Sequence, residues 1–388
     1  MYPIMHAIHS MAMGSLTDRA RSRHGEEIPG LAWFITPHGF GHAARASAVM
    51  AACSSLNGCI RHHIFTTVPR GFFDQSLVDV DRSYHRLECD VGMVQRTPFE
   101  EDEDETIRAL CRLPFDDDRA MRRLTERVAL FGCHLVVCDI APLGLAIADR
   151  LSVPGVLVEN FTWDWIYAAY GHPGLDRYGE MMARLHRSAA LRIQTEPVCR
   201  AADAGLKVAP VSRTRRQTRA EVRRALGVPA DRPMVLVSMN SLGSKEFGRR
   251  DLRLPSGTSV VMPGSADRVS DNGKTVSFPA VGGPYHPDLV GASDLVIGKL
   301  GYSTVAEVYH SGSAFAYLRR ARFPESPILE AFVREHIPSA PMPSDWLDSP
   351  ETGEVLESLL NTSRPSTPRP NGADEAAKLI LALLQLRS

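Results

Sequence analysis

The segment Asp294-Leu-Val-Ile-Gly-Lys-Leu-Gly-Tyr-Ser-Thr-Val-Ala-Glu307 carries the residue types of a phosphate and ribose site. Asp294 to Ile297 read as a short apolar strand. Gly298 and Gly301 allow a tight turn and a close approach of backbone to a ligand. Ser303 and Thr304 are good cap residues for a following helix. A helix that opens at a glycine turn presents free N–H groups and a partial positive charge, which suit a phosphate. Glu307 falls about one turn into that helix, where a carboxylate can reach a pair of ribose hydroxyls. The segment therefore points to a nucleoside diphosphate.

Other stretches could do chemistry. Pro37-His-Gly-Phe-Gly-His42 is a second glycine-rich turn, and Gly39 and Gly41 read as positions of close backbone approach. His42 opens the next helix; it is a base candidate or a helix-capping or phosphate-contacting histidine. Asp139 ends the strand His134–Asp139 and either orients His42, acts as base itself or caps a loop. Asn160, Trp163, Asp164 and Trp165 form an aromatic-polar cluster just after the strand Gly155–Glu159. Aromatic faces pack on sugar rings and the amide and carboxylate bind hydroxyls, although tryptophans at this density also build cores. Lys299 either neutralises a diphosphate or stays solvated.

The elements that must position these groups alternate between strand and helix. Leu31–Thr36 is an apolar strand, Ala43–Leu56 a helix and Arg61–Thr67 a second strand, a β-α-β beginning that favours a parallel sheet. Helices over Arg119–Phe131 and Leu143–Leu151 continue the pattern. Glu100–Glu105 reads as an acidic loop or helix start, and 203–218 as a linker. Thr218 and Glu221 have capping-box spacing. The strand Met234–Ser238, then Ser259–Met262 and Thr275–Phe278, restart the α/β alternation. The expected fold is α/β with two doubly wound, Rossmann-like domains. A leader occupies 1–29, the first domain 30–205, the second 206–360, and a Pro/Ser-rich connection with a terminal helix 361–388. Such domains create a cleft and bind ligands beyond the carboxyl ends of their strands. Both glycine-rich turns are expected there.

Composition narrows the classes. At 388 residues the chain exceeds one ordinary core. Its 44% hydrophobic and 23% charged content is that of a globular protein. A net charge of −1 gives no reason to expect nucleic acid as partner. The 7 cysteines are scattered, odd in number and without a CxxC pair, as for reduced thiols in a cytoplasmic protein. Residues 1–29 lack the apolar core of a secretory signal, so they read as a flexible leader, with a later true start as an option. No apolar run approaches the roughly 18 residues of a membrane span, so stable membrane insertion is not expected.

In the sequence, these motifs resemble glycosyltransferases of the GT-B fold. Pro37–Arg45 is similar to their N-terminal glycine loop, and 294–307 to their donor-nucleotide motif. The fuller resemblance is to the glycosyltransferase-like N-terminal region of L-arabinokinases and related bacterial stand-alone proteins. It is carried by Gly39–Ala43, Asp90–Gln95, Asn160–Tyr167, Tyr285–Asp294, Gly298–Glu307 and Arg319–Glu330 with Phe323-Pro-Glu-Ser-Pro327, in order over roughly residues 31–385. No kinase-type region follows in this sequence, so arabinokinase activity is not expected.

The resemblance implies a sugar transferred from a nucleoside-diphosphate donor, UDP-linked, to an acceptor hydroxyl. The donor is a co-substrate, with no separate cofactor. Inversion and independence of metal are further expectations from the resemblance. It implies His42 as base, with Asp139, because imidazole titrates in the range an inverting transfer needs. Gly39, Gly41, Arg45, Asn160, Trp163 and Asp164 are implied on the acceptor side. His286, Lys299, Gly301, Tyr302, Ser303, Thr304, Glu307, Phe323 and Glu325 are implied on the donor side, with Glu330 in the same sugar-contacting segment. Asp288 is near the donor or caps a helix. Arg319 and Arg320 pair with phosphate or with local carboxylates. In relatives the terminal helix returns to the first domain. One stretch departs from the pattern: where such enzymes carry a Gly-Gly pair, this chain has Ser238-Met-Asn-Ser-Leu-Gly243, so Met239 and Asn240 bring side chains to the donor loop. A non-catalytic sugar-nucleotide or saccharide-binding module is the alternative, and a nucleotide-sugar 2-epimerase a third.

Overall fold

The computed structural model describes residues 28–97, 99–239, 254–266, 270–271, 275–279, 283–343, 345–365 and 367–386. Asn240 to Gly243, the rest of the departing donor loop, lie outside the described residues, as do residues 1–27 of the leader. The chain divides into two compact units: one holds Met1–Val94, Glu101–Ser212 and Asn371–Ser388, the other Gln95–Glu100 and Arg213–Pro370.

In the first unit, β1 (Gly30–Ile35) is buried at every residue, as an interior strand of a parallel sheet covered on both faces must be. It feeds α1 (Phe40–Leu56), β2 (Arg61–Thr66), α2 (Arg70–Ser76) and β3 (Arg82–Arg86). A short ribbon, β4 (Gln95–Thr97) with β5 (Glu100–Glu101), falls to the second unit up to Glu100, and the first unit resumes with α3 (Glu103–Leu110). The acidic run is the start of that helix. Asp102 Oδ1 accepts from Glu105 N at 2.9 Å, and Glu103 to Glu105 occupy the first turn, where the helix dipole favours negative charge. Next come α4 (Asp118–Ala129), β6 (Cys133–Asp139), α5 (Pro142–Leu151), β7 (Gly155–Glu159), α6 (Trp163–Tyr170), α7 (Pro173–Ser188), β8 (Leu191–Thr195) and β9 (Gly205–Val208). The strand order is β3-β2-β1-β6-β7-β8-β9, all parallel. β9 occupies part of the stretch read as a linker. Four residues with two apolar ones give too short a pattern to register as a strand, and pairing to β8 makes it one.

The second unit contains α8 (Arg219–Ala225), opened by the capping box of Thr218 and Glu221. It continues with β10 (Met234–Ser238), β11 (Ser259–Pro263), β12 (Ser270–Asp271), β13 (Thr275–Phe278), α9 (His286–Ala292), β14 (Leu295–Lys299), α10 (Tyr302–Ser311), β15 (Ala314–Leu318), α11 (Ser326–His336), β16 (Ser339–Pro341) and α12 (Glu351–Leu360). Its strand order is β12-β13-β11-β10-β14-β15-β16, parallel except for the antiparallel β12. The last helix, α13 (Gly372–Gln385), belongs to the first unit. Its apolar residues, among them Ala376, Ile380 and Leu383, join the same core as Met50 and Cys53 of α1. Among the described residues no helix is long and apolar enough to cross a membrane.

Each sheet reverses its strand order once, between β1 and β6 in the first unit and between β10 and β14 in the second. In open α/β sheets the crevice at that reversal, past the carboxyl ends of the strands, is where ligands bind. Gly298 serves this point in the second unit, and not as a turn. It lies within β14 opposite Ser238, and a Cβ there would stand 2.9 Å from the Ser238 carbonyl oxygen. Backbone cannot yield as a flexible side chain does. Gly298→Ala is expected to destabilise the protein by about 1–3 kcal/mol, measured by denaturant unfolding. Unchanged stability would show that β10 and β14 can separate there freely.

Candidate functional site

At the reversal in the first unit, β1 delivers the chain through Gly39 to His42, and β6 ends on Asp139. Gly39 has φ +76° and ψ −178°, a conformation that side chains disfavour, and its turn launches α1 with His42 in the first turn. Gly41, half-buried, is the second residue of that helix. His42 Nδ1 lies 2.8 Å from Asp139 Oδ1. Arg45, one helical turn on, grips the same carboxylate with two bonds, Nε to Oδ2 at 2.8 Å and Nη2 to Oδ1 at 2.7 Å. Its remaining Nη1 donates to Asn160 Oδ1 at 2.7 Å.

Asp139 and Arg45 are each 1% exposed. Burial alone raises a carboxyl group, but the Arg45 guanidinium and the His42 imidazole outweigh it, and Asp139 is held below the ordinary carboxylate range. An ionised carboxylate only accepts hydrogen bonds, so Nδ1 of His42 carries the proton. In the neutral ring Nε2 then holds the lone pair, and among the described residues it has no hydrogen-bond partner. This is the arrangement of a base with an orienting carboxylate.

Arg45, Asn160 and Trp163 are buried supports of this dyad rather than surface groups. Asn160 and Trp163 are 0% exposed. Trp163 packs its ring 6.4 Å from His42 and 5.2 Å from His38, and its Nε1 donates to Asp90 Oδ2 at 2.7 Å. Asp164 is held by His186 at 3.0 Å and Arg200 at 2.7 Å. The sequence does not mark two further features of this region as site residues. Asp90, wholly buried and raised by that burial, anchors Trp163; its only signal was its place in the Asp90–Gln95 motif. Ile140, immediately after Asp139, has φ +47°. That is strained for a β-branched residue, and such strain clusters at functional sites.

At the reversal in the second unit, Glu307 is 5% exposed. Its Oε1 accepts from Arg213 Nη2 at 3.0 Å and its Oε2 lies 2.6 Å from His286 Nδ1. His286 opens α9, and its Nε2 is 2.8 Å from Ser238 Oγ at the end of β10. Burial pushes Glu307 up, but Arg213 and His286 prevail and bring it down to about 2. Arg213 falls within the stretch read as linker, where nothing local signals its partner. Beside this clamp, Gly301 starts α10 with no side-chain cap. A Cβ added at Gly301 would meet nothing within 4 Å, so that position is open to a ligand. Ser303 and Thr304 are half-buried in the first turn, while the Tyr302 ring joins the apolar core.

The other donor-side candidates are engaged with their own unit. The Lys299 ammonium lies 5.5 Å from the Phe99 ring. Phe323 is 1% exposed beneath Arg320, whose guanidinium carbon sits 3.4 Å from the ring centroid. Glu325 pairs with Arg320 at 3.5 Å, and Arg319 with Glu330 at 3.2 Å. Asp288 Oδ1 accepts from Arg216 N at 2.7 Å and so anchors the loop before α8. Among the described residues no group of His, Cys, Asp and Glu is arranged to hold a metal.

The Glu307 clamp has a measurable pH signature. A carboxyl lowered from 4.5 to about 2 contributes stability that is complete above pH 4.5 and lost as pH falls through about 2. The size is on the order of 3 kcal/mol. Glu307→Gln is expected to flatten the acid limb of stability against pH over that window in denaturant titrations. An acid limb as steep as in the wild type would contradict the clamp.

No family model matches the chain. L-arabinokinase of Arabidopsis thaliana is 25% identical over 310 residues, which are 77% of this chain and 29% of that protein. The chain thus spans less than a third of that relative's length. The glycosyltransferase SnogD from Streptomyces nogalater superposes with a TM-score of 0.54 at 14% identity, over 91% of this chain and 99% of that one. The calicheamicin glycosyltransferase CalG4 gives 0.58 at 15% identity, over 93% and 95%. MurG of Acinetobacter baumannii gives 0.54 at 15% identity, over 91% and 99%. With its two doubly wound sheets, the chain has the glycosyltransferase GT-B fold.

Proposed function

We propose that the protein is a glycosyltransferase that moves a sugar from a nucleoside-diphosphate donor, UDP-linked, to an acceptor hydroxyl with inversion and without a metal. The observation that carries this reading is the His42–Asp139 dyad at the sheet reversal of the first unit, with Nε2 left as a base. The N-terminal unit holds the acceptor and the C-terminal unit the donor. The acceptor hydroxyl gives its proton to His42 Nε2 as its oxygen forms the bond to the anomeric carbon. The bond from that carbon to the diphosphate oxygen breaks, and the electron pair leaves with the diphosphate. Asp139 stabilises the imidazolium, and Arg45 keeps Asp139 ionised throughout. The diphosphate departs against the start of α10, whose N–H groups and dipole meet the developing charge. Glu307 accepts from the ribose hydroxyls.

A binding module without turnover is the second reading, favoured by one observation: Arg213 and His286 already occupy both oxygens of Glu307. Release of UDP from a panel of UDP-hexoses with an acceptor library separates the two. Under the transferase reading, His42→Ala lowers kcat by about 10²–10⁴-fold, and Glu307→Ala acts mainly by raising KM for the donor. Binding of UDP-hexoses with no release for any donor and acceptor pair would favour the module.

A further inference from the structure

Residues 213–224 include six arginines. Three of them, with Arg364 from the connection that follows α12, converge on the end of α9 and the start of β14. Arg219 Nη1 and Arg223 Nε donate to the Ala292 carbonyl at 2.8 and 3.0 Å, and their Nη2 groups grip the two oxygens of Asp294. Arg364 donates from Nη1 to the Gly291 carbonyl and from Nη2 to Ser313 Oγ, each at 3.1 Å. Arg215 lies against the same glycine, its Nη1 3.0 Å from where a Cβ would stand. We propose that the Arg215 and Arg364 guanidinium groups at Gly291 form an anion site for a phosphoryl dianion, carried by inorganic phosphate or by a phosphomonoester.

Four guanidinium groups meet one carboxylate here, an excess of three positive charges. The carboxylates of α8 and α9 are turned elsewhere, Glu221 to Thr218 and Asp288 to the backbone of Arg216 and Gln217. Asp294 is shared by Arg219, Arg223 and the Met234 N–H. Among the described residues no carboxylate touches Arg215 or Arg364. Burial and Arg219 accordingly outweigh Asp294 and bring Arg364 down to about 10. Both arginines also have donors to spare. Among the described residues Arg215 makes no hydrogen bond, and Arg364 Nε is buried without a partner. A guanidinium fork takes phosphate oxygens two at a time, and a dianion cancels charge that a halide or a single carboxylate leaves in place. The site is distinct from the candidate donor site. Asp294 and Met234 stand at the amino ends of β14 and β10, whereas Gly301 lies past the other end of β14, about 16 Å along its 5 residues.

Titration of inorganic phosphate into the full chain, with chloride adjusted to hold ionic strength constant, tests the site through ³¹P line broadening and Tm. The expected result is saturable broadening and a Tm about 3 °C or more higher in phosphate than in chloride. Arg215→Gln breaks no hydrogen bond, so it should fold as the wild type does, with a Tm in chloride no lower, and bind phosphate about tenfold or more weakly. Arg364→Gln should weaken binding as well. Glucose 6-phosphate in a parallel titration separates the two sources: tighter binding than phosphate assigns the site to phosphomonoesters, and weaker binding to the free ion. The same Tm in chloride and phosphate, without saturable broadening, would overturn the proposal. So would phosphate bound equally by the wild type and both variants, since the ion would then sit elsewhere, as at the start of α10.

Discussion

A carboxylate sealed from water has to be held ionised by a cation, and both candidate sites are built on that constraint. Asp139 is clamped by Arg45 and Glu307 by Arg213, each in a pocket where an unpaired charge would cost several kcal/mol. Each carboxylate spends its second partner on an imidazole, His42 in one unit and His286 in the other. The arginine is what makes the imidazole useful. It fixes the carboxylate as an acceptor, the acceptor fixes the ring tautomer, and the tautomer decides what the far nitrogen can do. In the first unit that nitrogen has no partner among the described residues; in the second it is passed on to Ser238.

Sheet topology places these clamps. Strand order reverses between β1 and β6 and between β10 and β14, and the clamps sit at those two reversals. Close approach of β14 to β10 through Gly298, and the left-handed turn at Gly39, bring the pieces to the carboxyl edges. The strained Ile140 is the backbone's counterpart at the end of β6, where the chain must leave the sheet directly after the residue that matters.

Much of this was legible in the residues. The helix after the 298–301 turn, the strand ending on Asp139 and the helix opening at His42 all follow from local patterns of apolar periodicity and glycine. So do the capping box at Thr218 and the two α/β halves. What local pattern does not encode is the partner. Arg213 meets Glu307 across 94 residues and Asp90 meets Trp163 across 73, and neither carries a mark of it in its own neighbourhood. The same limit explains why Arg45, Asn160 and Trp163 read as ligand contacts. Their chemistry suits a sugar, but burial turns it inward, Arg45 on Asp139 and Asn160, and Trp163 on Asp90. In the sequence Gly298 reads as a turn because it ends an apolar run. Only pairing across the sheet shows that its missing side chain makes room for a carbonyl.

Whether the Glu307 clamp beside the start of α10 takes a nucleotide sugar is read from a crystal structure with UDP. The expected result is a diphosphate against residues 301–304 with the ribose hydroxyls on Glu307. UDP bound elsewhere, or a Glu307 still closed on Arg213 and His286 with no ligand contact, would contradict it.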